Sequence, residues 1–271
     1  MKDKIKDNPV ILSKSEIRKI KKANNKPRKK IGEVISKNTN NNIIEVINVR
    51  KSYLSGSVIT EVLKGVTLNI EKGDFAVLFG KSGSGKSTLL NIISGLDRPS
   101  EGEVIVANNN LVYYKDSQLT KFRRENVSFI FQSYNLLQNL NGYDNVETGA
   151  YLQKNKEKVL DIHKLFEEFE IEDIKYKYPS QMSGGQQQRI SILRALSKNA
   201  DIIFADEPTG ALDEKTSQAV LKVLQYINKQ YGTTIVMVSH DPSVAELCNK
   251  IIKLKLGKID EIKINQNPKI L

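Results

Sequence analysis

The sequence predicts an α/β fold, and three observations carry that prediction. A five-residue apolar run, Phe75 to Phe79, has the length and composition of a buried strand and stops at Gly80. A loop of glycine and serine comes next, and a helix begins near Lys86. Three more short apolar runs, at 127–131, 202–205 and 234–238, alternate with stretches of helical period. At 271 residues the chain has room for one large α/β domain, or for a domain with appendages.

Composition narrows the setting. A hydrophobic content of 39% is ample for a packed core. The single cysteine, Cys248, excludes an intrachain disulfide, and no Cys/His cluster offers a zinc site, so a reducing, cytosolic setting is expected. No stretch reaches the ~20 apolar residues of a spanning helix, and the N-terminus lacks a signal-peptide core. Residues 1–42 carry 13 Lys/Arg against 4 Asp/Glu, nine of the eleven net positive charges. Basic character therefore belongs to this extension, which is rich in Lys, Asn and Ser and is expected to be disordered. Ser13 and Glu16 nevertheless form a capping-box pattern ahead of Ile17 and Ile20, which allows a short helix at 14–23. The extension reads either as a basic arm for anionic lipid, nucleic acid or an acidic partner, or as a solvated tail. Charge runs are usually solvated, which favours the tail.

The asparagine-rich run 38–42 reads as a linker into a folded domain at 43–271, with strands expected at 43–49 and 66–70. Tyr53 between them is either an ordinary strand aromatic or a ring that stacks on a base. The loop Gly80-Lys81-Ser82-Gly83-Ser84-Gly85-Lys86-Ser87-Thr88 then fits G-x-x-x-x-G-K-[ST]. Glycine lets the backbone wrap tightly and aim several N–H groups at one phosphate, and the following helix points its positive end at the same place. Lys86 adds a charge for the β/γ-phosphates, and the Ser87 hydroxyl can ligate Mg²⁺. A ligand-free glycine-serine turn would not require a strand before it, a helix after it and the full consensus. The loop therefore predicts a nucleotide-triphosphate site.

Downstream, 98–102 is a turn, 103–106 a strand and 117–125 a polar helix. Val127 to Phe131 ends in Gln132, at the strand edge where ligands of open α/β sheets bind. A helical pattern over 143–170 puts Val159, Ile162, Leu165, Phe166 and Phe169 on one side, and Pro179 interrupts it. The run 181–189, QMSGGQQQR, opens a helix with Ser183 as N-cap and Ile190, Leu193 and Leu196 on one face. Gly184 and Gly185 at an open helix start suggest a second anion cradle, since glycine in a first turn lowers helix stability. The strand at 202–205 ends in Asp206 and Glu207, whose side chains are expected to diverge by strand alternation. One can then face a metal and the other an attacking water. A loop at 210–213, a helix at 214–230 and the strand at 234–238 lead to Ser239-His240-Asp241-Pro242. Residues 251–264 read as a hairpin with Gly257 at its turn.

From about 43 to 264 this order of motifs resembles the ATP-binding cassette (ABC) transporter ATPases. MSGGQQQR at its distance between the P-loop and FADEPTGALD is the diagnostic piece. The resemblance implies a P-loop NTPase, RecA-like core with an antiparallel β subdomain and a helical signature subdomain at about 135–190. It also implies roles. Tyr53 would stack on adenine, and Gly80 to Thr88 would hold ATP. Ser87, Gln132 and Asp206 would serve Mg²⁺. Glu207 would be the general base, assisted by His240 and Gln132, and Asp213 the D-loop aspartate. Ser183, Gly184, Gly185 and Gln186 would cap the γ-phosphate of ATP held by the opposite cassette. ADEPTGALD, YPSQMSGGQQQR and TIVMVSHDP resemble the macrolide-export, lipoprotein-release and peptide-resistance subgroup; Met182 stands where leucine is usual. The implied protein dimerises, as a homodimer, on ATP and powers a separate integral membrane permease from the cytoplasmic face of the cell membrane, for export, extraction or force transmission. A soluble ATPase acting on ribosomes or DNA is the rival reading, and an amino-acid-type importer a second. Neither paired cassettes, heptads nor cysteine clusters support the first, so nucleic acid is not the expected partner.

Overall fold

The structure, a computed structural model, describes residues 13–30, 37–56 and 58–271. It begins with α1 (Lys14–Asn25), where Ser13 and Glu16 form the anticipated capping box. A four-stranded antiparallel sheet comes next, built from β1 (Asn42–Ser55), β2 (Val58–Glu71), β4 (Glu101–Val106) and β5 (Asn109–Asn110) in the order β2-β1-β4-β5. Asn24 donates from its amide to the Ser52 carbonyl (2.8 Å), and the Arg28 N–H to that of Val112 (2.9 Å). The expected disorder of the extension therefore gives way, over 13–30, to a capped helix fastened to this sheet. Residues 37–42 are likewise described, with Asn38 donating to the Asn108 side chain (3.1 Å) and the Ile105 carbonyl (3.1 Å), while 1–12 and 31–36 lie outside the described residues.

The second sheet has six strands in the order β10-β9-β3-β8-β7-β6. These are β3 (Phe75–Phe79), β6 (Val127–Phe131), β7 (Ile202–Asp206), β8 (Thr234–Ser239), β9 (Lys250–Lys255) and β10 (Lys258–Ile264). All pairings are parallel except β9–β10. The central strands read as unbroken apolar runs because both of their faces are covered. Phe75, Val77, Ile203, Ala205, Ile235 and Met237 pack on one side, under α4 (Gly142–Ala150), α5 (Ile162–Glu168), α6 (Gly184–Ser197) and α7 (Glu214–Tyr231). Ala76, Leu78, Ile202, Phe204, Val236 and Val238 pack on the other, with α2 (Lys86–Ile93), α3 (Asp116–Asn126) and the antiparallel sheet. A short α8 (Pro242–Leu247), which the sequence pattern does not anticipate, succeeds β8.

The helical pattern over 143–170 is not one helix. It divides into α4 and α5, with 151–161 between them. Side chains near the gap take up backbone groups: Asn155 accepts from the Glu157 N–H, and Asp161 caps α5 by accepting from His163 and Lys164. Short polar residues compete with the helix for its own donors, which apolar periodicity does not register.

Parallel pairing fixes where chemistry can occur. Phe79 lies opposite Ser239, Asp206 opposite Val238, and Phe131 opposite Asp206. Gly80, Glu207, His240 and Gln132 each come directly after one of these strand ends, so four separate segments emerge at one edge of the sheet.

Candidate nucleotide-binding site

The loop between β3 and α2 closes around its own lysine. Lys86, 6% exposed, turns its Nζ inward to donate to the carbonyls of Gly80 (2.8 Å) and Lys81 (3.1 Å). Gly85 caps α2 in the left-handed region (φ +102°), and a Cβ there would lie 2.8 Å from Leu63 Cδ2, so both backbone and space demand glycine. The Ser84 hydroxyl is buried without a partner. A buried, unpaired hydroxyl beside an inward-turned ammonium and a helix start suits an anion.

Ser87 Oγ stands 3.2 Å from Asp206 Oδ1 and can donate to it. Burial pushes the Asp206 carboxyl above its ordinary range, and the Ser87 hydroxyl opposes that shift without cancelling it. Among the described residues no three His, Cys, Asp or Glu side chains cluster as a metal site. A divalent ion here would take Ser87 and Asp206 from the chain and complete its shell with phosphate and water oxygens, which suits Mg²⁺.

Glu207 departs from the expectation in how it is aimed. It lies beyond β7 with φ +46°, in the left-handed region, so its divergence from Asp206 comes from a backbone reversal rather than from strand alternation. Its N–H donates to the Val238 carbonyl (3.2 Å), and its Oε1 lies 3.3 Å from His240 Nδ1. Both residues line a cleft of about 520 Å³ together with Thr209, Gly210, Ser239 and Asp241. Gln132 approaches this loop from β6, its Nε2 packed against Gly210. No hydrogen bond among the described residues joins Gln132 to Ser87 or Asp206.

Tyr53 projects from β1 with 40% of its surface exposed, and its hydroxyl donates to Asp97 Oδ2 (2.8 Å). Burial, reinforced by the Asp97 carboxylate, pushes its phenol up to about 12. Thr88 of α2 also faces this hydroxyl, so the ring stands beside the P-loop helix.

Ser183 to Gln186 open α6, where a Cβ on Gly184 would meet the Tyr134 hydroxyl and Leu212 Cδ2. Ser183 caps α6, with its N–H donating to Gln186 Oε1 (2.9 Å) and its hydroxyl accepting from the Gln186 N–H (3.3 Å). A Cβ at Gly185 would lie 2.4 Å from Thr216 Cγ2. Packing alone therefore calls for glycine at 185, a reason that no sequence motif supplies. Thr216 in turn holds Asp213, the N-cap of α7, by a backbone donor (3.0 Å) and its hydroxyl (2.6 Å), which keep that carboxyl below the usual range. No hydrogen bond among the described residues joins Ser183–Gln186 to the P-loop.

Several positioning residues escape the motif reading. Gln188, fully buried, donates to the Pro208 carbonyl (2.8 Å) and ties α6 to the loop after Glu207. Its signal in the sequence is a polar residue one turn before Ile192 on the buried face. Arg194 donates to the carbonyls of Asn135 (2.6 Å) and Tyr134 (3.0 Å), tying α6 to the loop after Gln132. Gly257, at the β9–β10 turn, accepts from the Lys64 N–H (2.8 Å) and donates to the Ser84 carbonyl (3.1 Å), bracing the P-loop against β2. Nothing local marks that long-range role.

Comparison with known proteins adds an independent line. A family model described as "ABC transporter" matches residues 63–210. The chain is 46% identical over 259 residues to the Mycoplasma pneumoniae MG065 homolog, named as an ABC transporter ATP-binding protein, covering 96% of this chain and 55% of that protein. It thus spans about half the length of that relative. Over 219 residues it is 42% identical to the bacitracin export ATP-binding protein BceA of Halalkalibacterium halodurans, covering 80% of this chain and 87% of BceA. Among solved structures, the dimeric, post-hydrolysis cassette MJ0796 bound to ADP and Pi superposes with a TM-score of 0.73 at 40% identity, covering 82% of this chain and 98% of that one. MJ0796 is a Methanocaldococcus jannaschii protein.

Proposed function

The chain belongs to the ABC transporter family of ATP-binding proteins, and from that premise we propose that it binds and hydrolyses ATP as one half of a head-to-tail dimer that drives a membrane permease. One observation carries the reading: the P-loop, Asp206–Glu207 and His240 converge on one edge of the sheet, while Ser183–Gln186 cap a helix and, among the described residues, make no hydrogen bond to them. A site divided in this way is completed by a second copy, whose signature reaches the γ-phosphate from across the interface.

Each residue has a task in this reading. Lys86 exchanges the Gly80 and Lys81 carbonyls for β/γ-phosphate oxygens, and the P-loop N–H groups gather around the same phosphates. Ser87 and Asp206 would hold Mg²⁺, with Gln132 contributing on closure, and the bound ion would supply charge neutralisation for the phosphates. Glu207 accepts the proton of the attacking water, and His240, 3.3 Å away, orients that carboxylate. Tyr53 stacks on adenine. Asp213 steers the D-loop through its cap on α7.

The permease, its cargo and the membrane face belong to the proposal. Among the described residues no helix is long and apolar enough to cross a membrane, so transport requires a spanning partner. The likeness to BceA, a bacitracin export ATP-binding protein, supports export as the direction. We assign the protein to the cytoplasmic face. Exposed cations of α1, among them Lys14, Arg18, Lys21 and Lys22, complement anionic headgroups there.

Glu207→Gln tests the assignment. The variant should bind ATP, lose hydrolysis by roughly 10²- to 10⁴-fold, and accumulate as an ATP-held dimer. Purified from detergent-solubilised cells with ATP, it should bring down an integral membrane protein. Ordinary turnover, or recovery of ribosomes or nucleic acid without a membrane protein, would contradict it.

A further inference from the structure

The extension that lies outside the family motifs is fastened beside the base-stacking tyrosine. Asn24, at the end of α1, donates to the Ser52 carbonyl (2.8 Å) and accepts from the Ser100 hydroxyl (2.7 Å). The same hydroxyl accepts the Ser52 N–H (3.0 Å), so one asparagine bridges β1 and the turn before β4. Four residues on, the Arg28 N–H donates to the Val112 carbonyl (2.9 Å), and its guanidinium reaches the Gly102 carbonyl and Glu103 (3.6 Å). Residues 24–28 thus run as a strap over this part of the antiparallel sheet.

Under the strap lies an unusual support for an aromatic ring. Lys51, 1% exposed, is buried with its charge satisfied by Asp97 Oδ1 (2.7 Å) and the Arg98 carbonyl (2.7 Å). Its Nζ sits 4.8 Å from the centroid of Tyr53. The second oxygen of the same Asp97 accepts the Tyr53 hydroxyl (2.8 Å). The ring is therefore held at its tip by a carboxylate and supported from one side by an ammonium, and Tyr53 keeps enough open surface for a base. Ser52, the residue between Lys51 and Tyr53, is the one the strap grips.

We propose that the strap, through Asn24 on Ser52 and Ser100, and the Lys51–Asp97 pair position Tyr53 for the nucleotide base, so that the N-terminal extension sets the affinity for ATP but not for the triphosphate alone. This rests on the reading of Tyr53 as the base-stacking residue. Preorganising an aromatic platform lowers the cost of ordering it on binding, and that gain is confined to ligands that carry a base. The P-loop, braced separately by Gly257, binds phosphate without the strap.

Calorimetric titration of the full chain with ATP and with inorganic tripolyphosphate separates the two contributions. Asn24→Ala removes side-chain contacts at a half-exposed position and leaves the fold intact. It should weaken ATP about 3- to 10-fold, the worth of one or two hydrogen bonds, and leave tripolyphosphate unchanged. Tyr53→Phe, which keeps the ring and frees it from Asp97, should show the same selective loss. Lys51→Met is less informative, because breaking a buried ion pair endangers folding. Tyr53→Ala serves as the control. If it does not weaken ATP selectively, the base assignment fails and the proposal with it. If Tyr53→Ala is selective while Asn24→Ala binds ATP like the wild type, or weakens both ligands in parallel, the strap is refuted and the base assignment stands.

Discussion

Asp206 and Glu207 are neighbours in sequence and are governed by different physics. Asp206 ends a strand, half-buried, and burial, with the Glu207 carboxylate beside it, holds its carboxyl above the ordinary range against the opposing pull of the Ser87 hydroxyl and the Lys86 ammonium. The folded chain therefore holds that proton more tightly than the unfolded chain does. Stability is lost as pH rises from the unfolded chain's value through the raised one. Asp206→Asn should accordingly melt at a higher temperature than the wild type near neutral pH without nucleotide. The gap should close at acid pH, where both states carry the proton. A variant melting at or below the wild type at neutral pH would show that the carboxylate is not a stored cost. Glu207 is placed by its left-handed backbone, so substitutions there act on chemistry and on local strain together; Glu207→Gln keeps shape and isolates the charge.

Hairpins and helix ends brace this site from a distance. Gly257 has φ +79°, and a Cβ there would lie 2.2 Å from the Val62 carbonyl. Gly257→Ala should destabilise the protein by roughly 2–3 kcal/mol, from backbone strain and a forced shift of β2. Through its bond to the Ser84 carbonyl it should also weaken ATP and tripolyphosphate alike, in contrast to the strap variants. Thermal melts and the same titrations check both; an unaltered melting temperature would mean that the turn yields freely. Helix α5 has a comparable tie, with Glu168 accepting from the hydroxyls of Tyr226 (2.8 Å) and Tyr231 (2.8 Å) on α7. At the start of α6, Gly184 differs from Gly185. Its added Cβ would meet the Tyr134 hydroxyl, the far end of a side chain that can move. Gly184→Asp is therefore the cleaner probe of the signature: ATP binding by the single chain should survive and hydrolysis should be lost.

Across the molecule, what sequence could reveal is what chemistry makes local. The strand–loop–helix around Lys86, the strand ends before Gln132, Glu207 and His240, and the caps at Ser13 and Ser183 each sit within a few residues of their cause. Features set by distant contacts stayed hidden. Asn24 meets Ser52 and Ser100, Gly257 meets the P-loop, Gly185 meets Thr216, and Gln188 meets Pro208, all across long sequence separations. The division of 143–170 into α4 and α5 escapes a sequence reading because the apolar positions that suggest one helix all lie at 159–169, while Asn155 in the polar run 153–158 and Asp161 claim the backbone between the two helices. In the proposed function one arrangement belongs to the whole molecule alone: the P-loop edge and the signature helix of a chain would serve different sites. Two defective chains test this directly. Lys86→Ala spoils the P-loop, Gly184→Asp spoils the signature, and each homodimer should be inactive. Mixed, they form heterodimers in which one site has an intact P-loop from one chain and an intact signature from the other, so ATP hydrolysis should return. If activity stays absent at every mixing ratio while heterodimers form, the shared-site account is wrong.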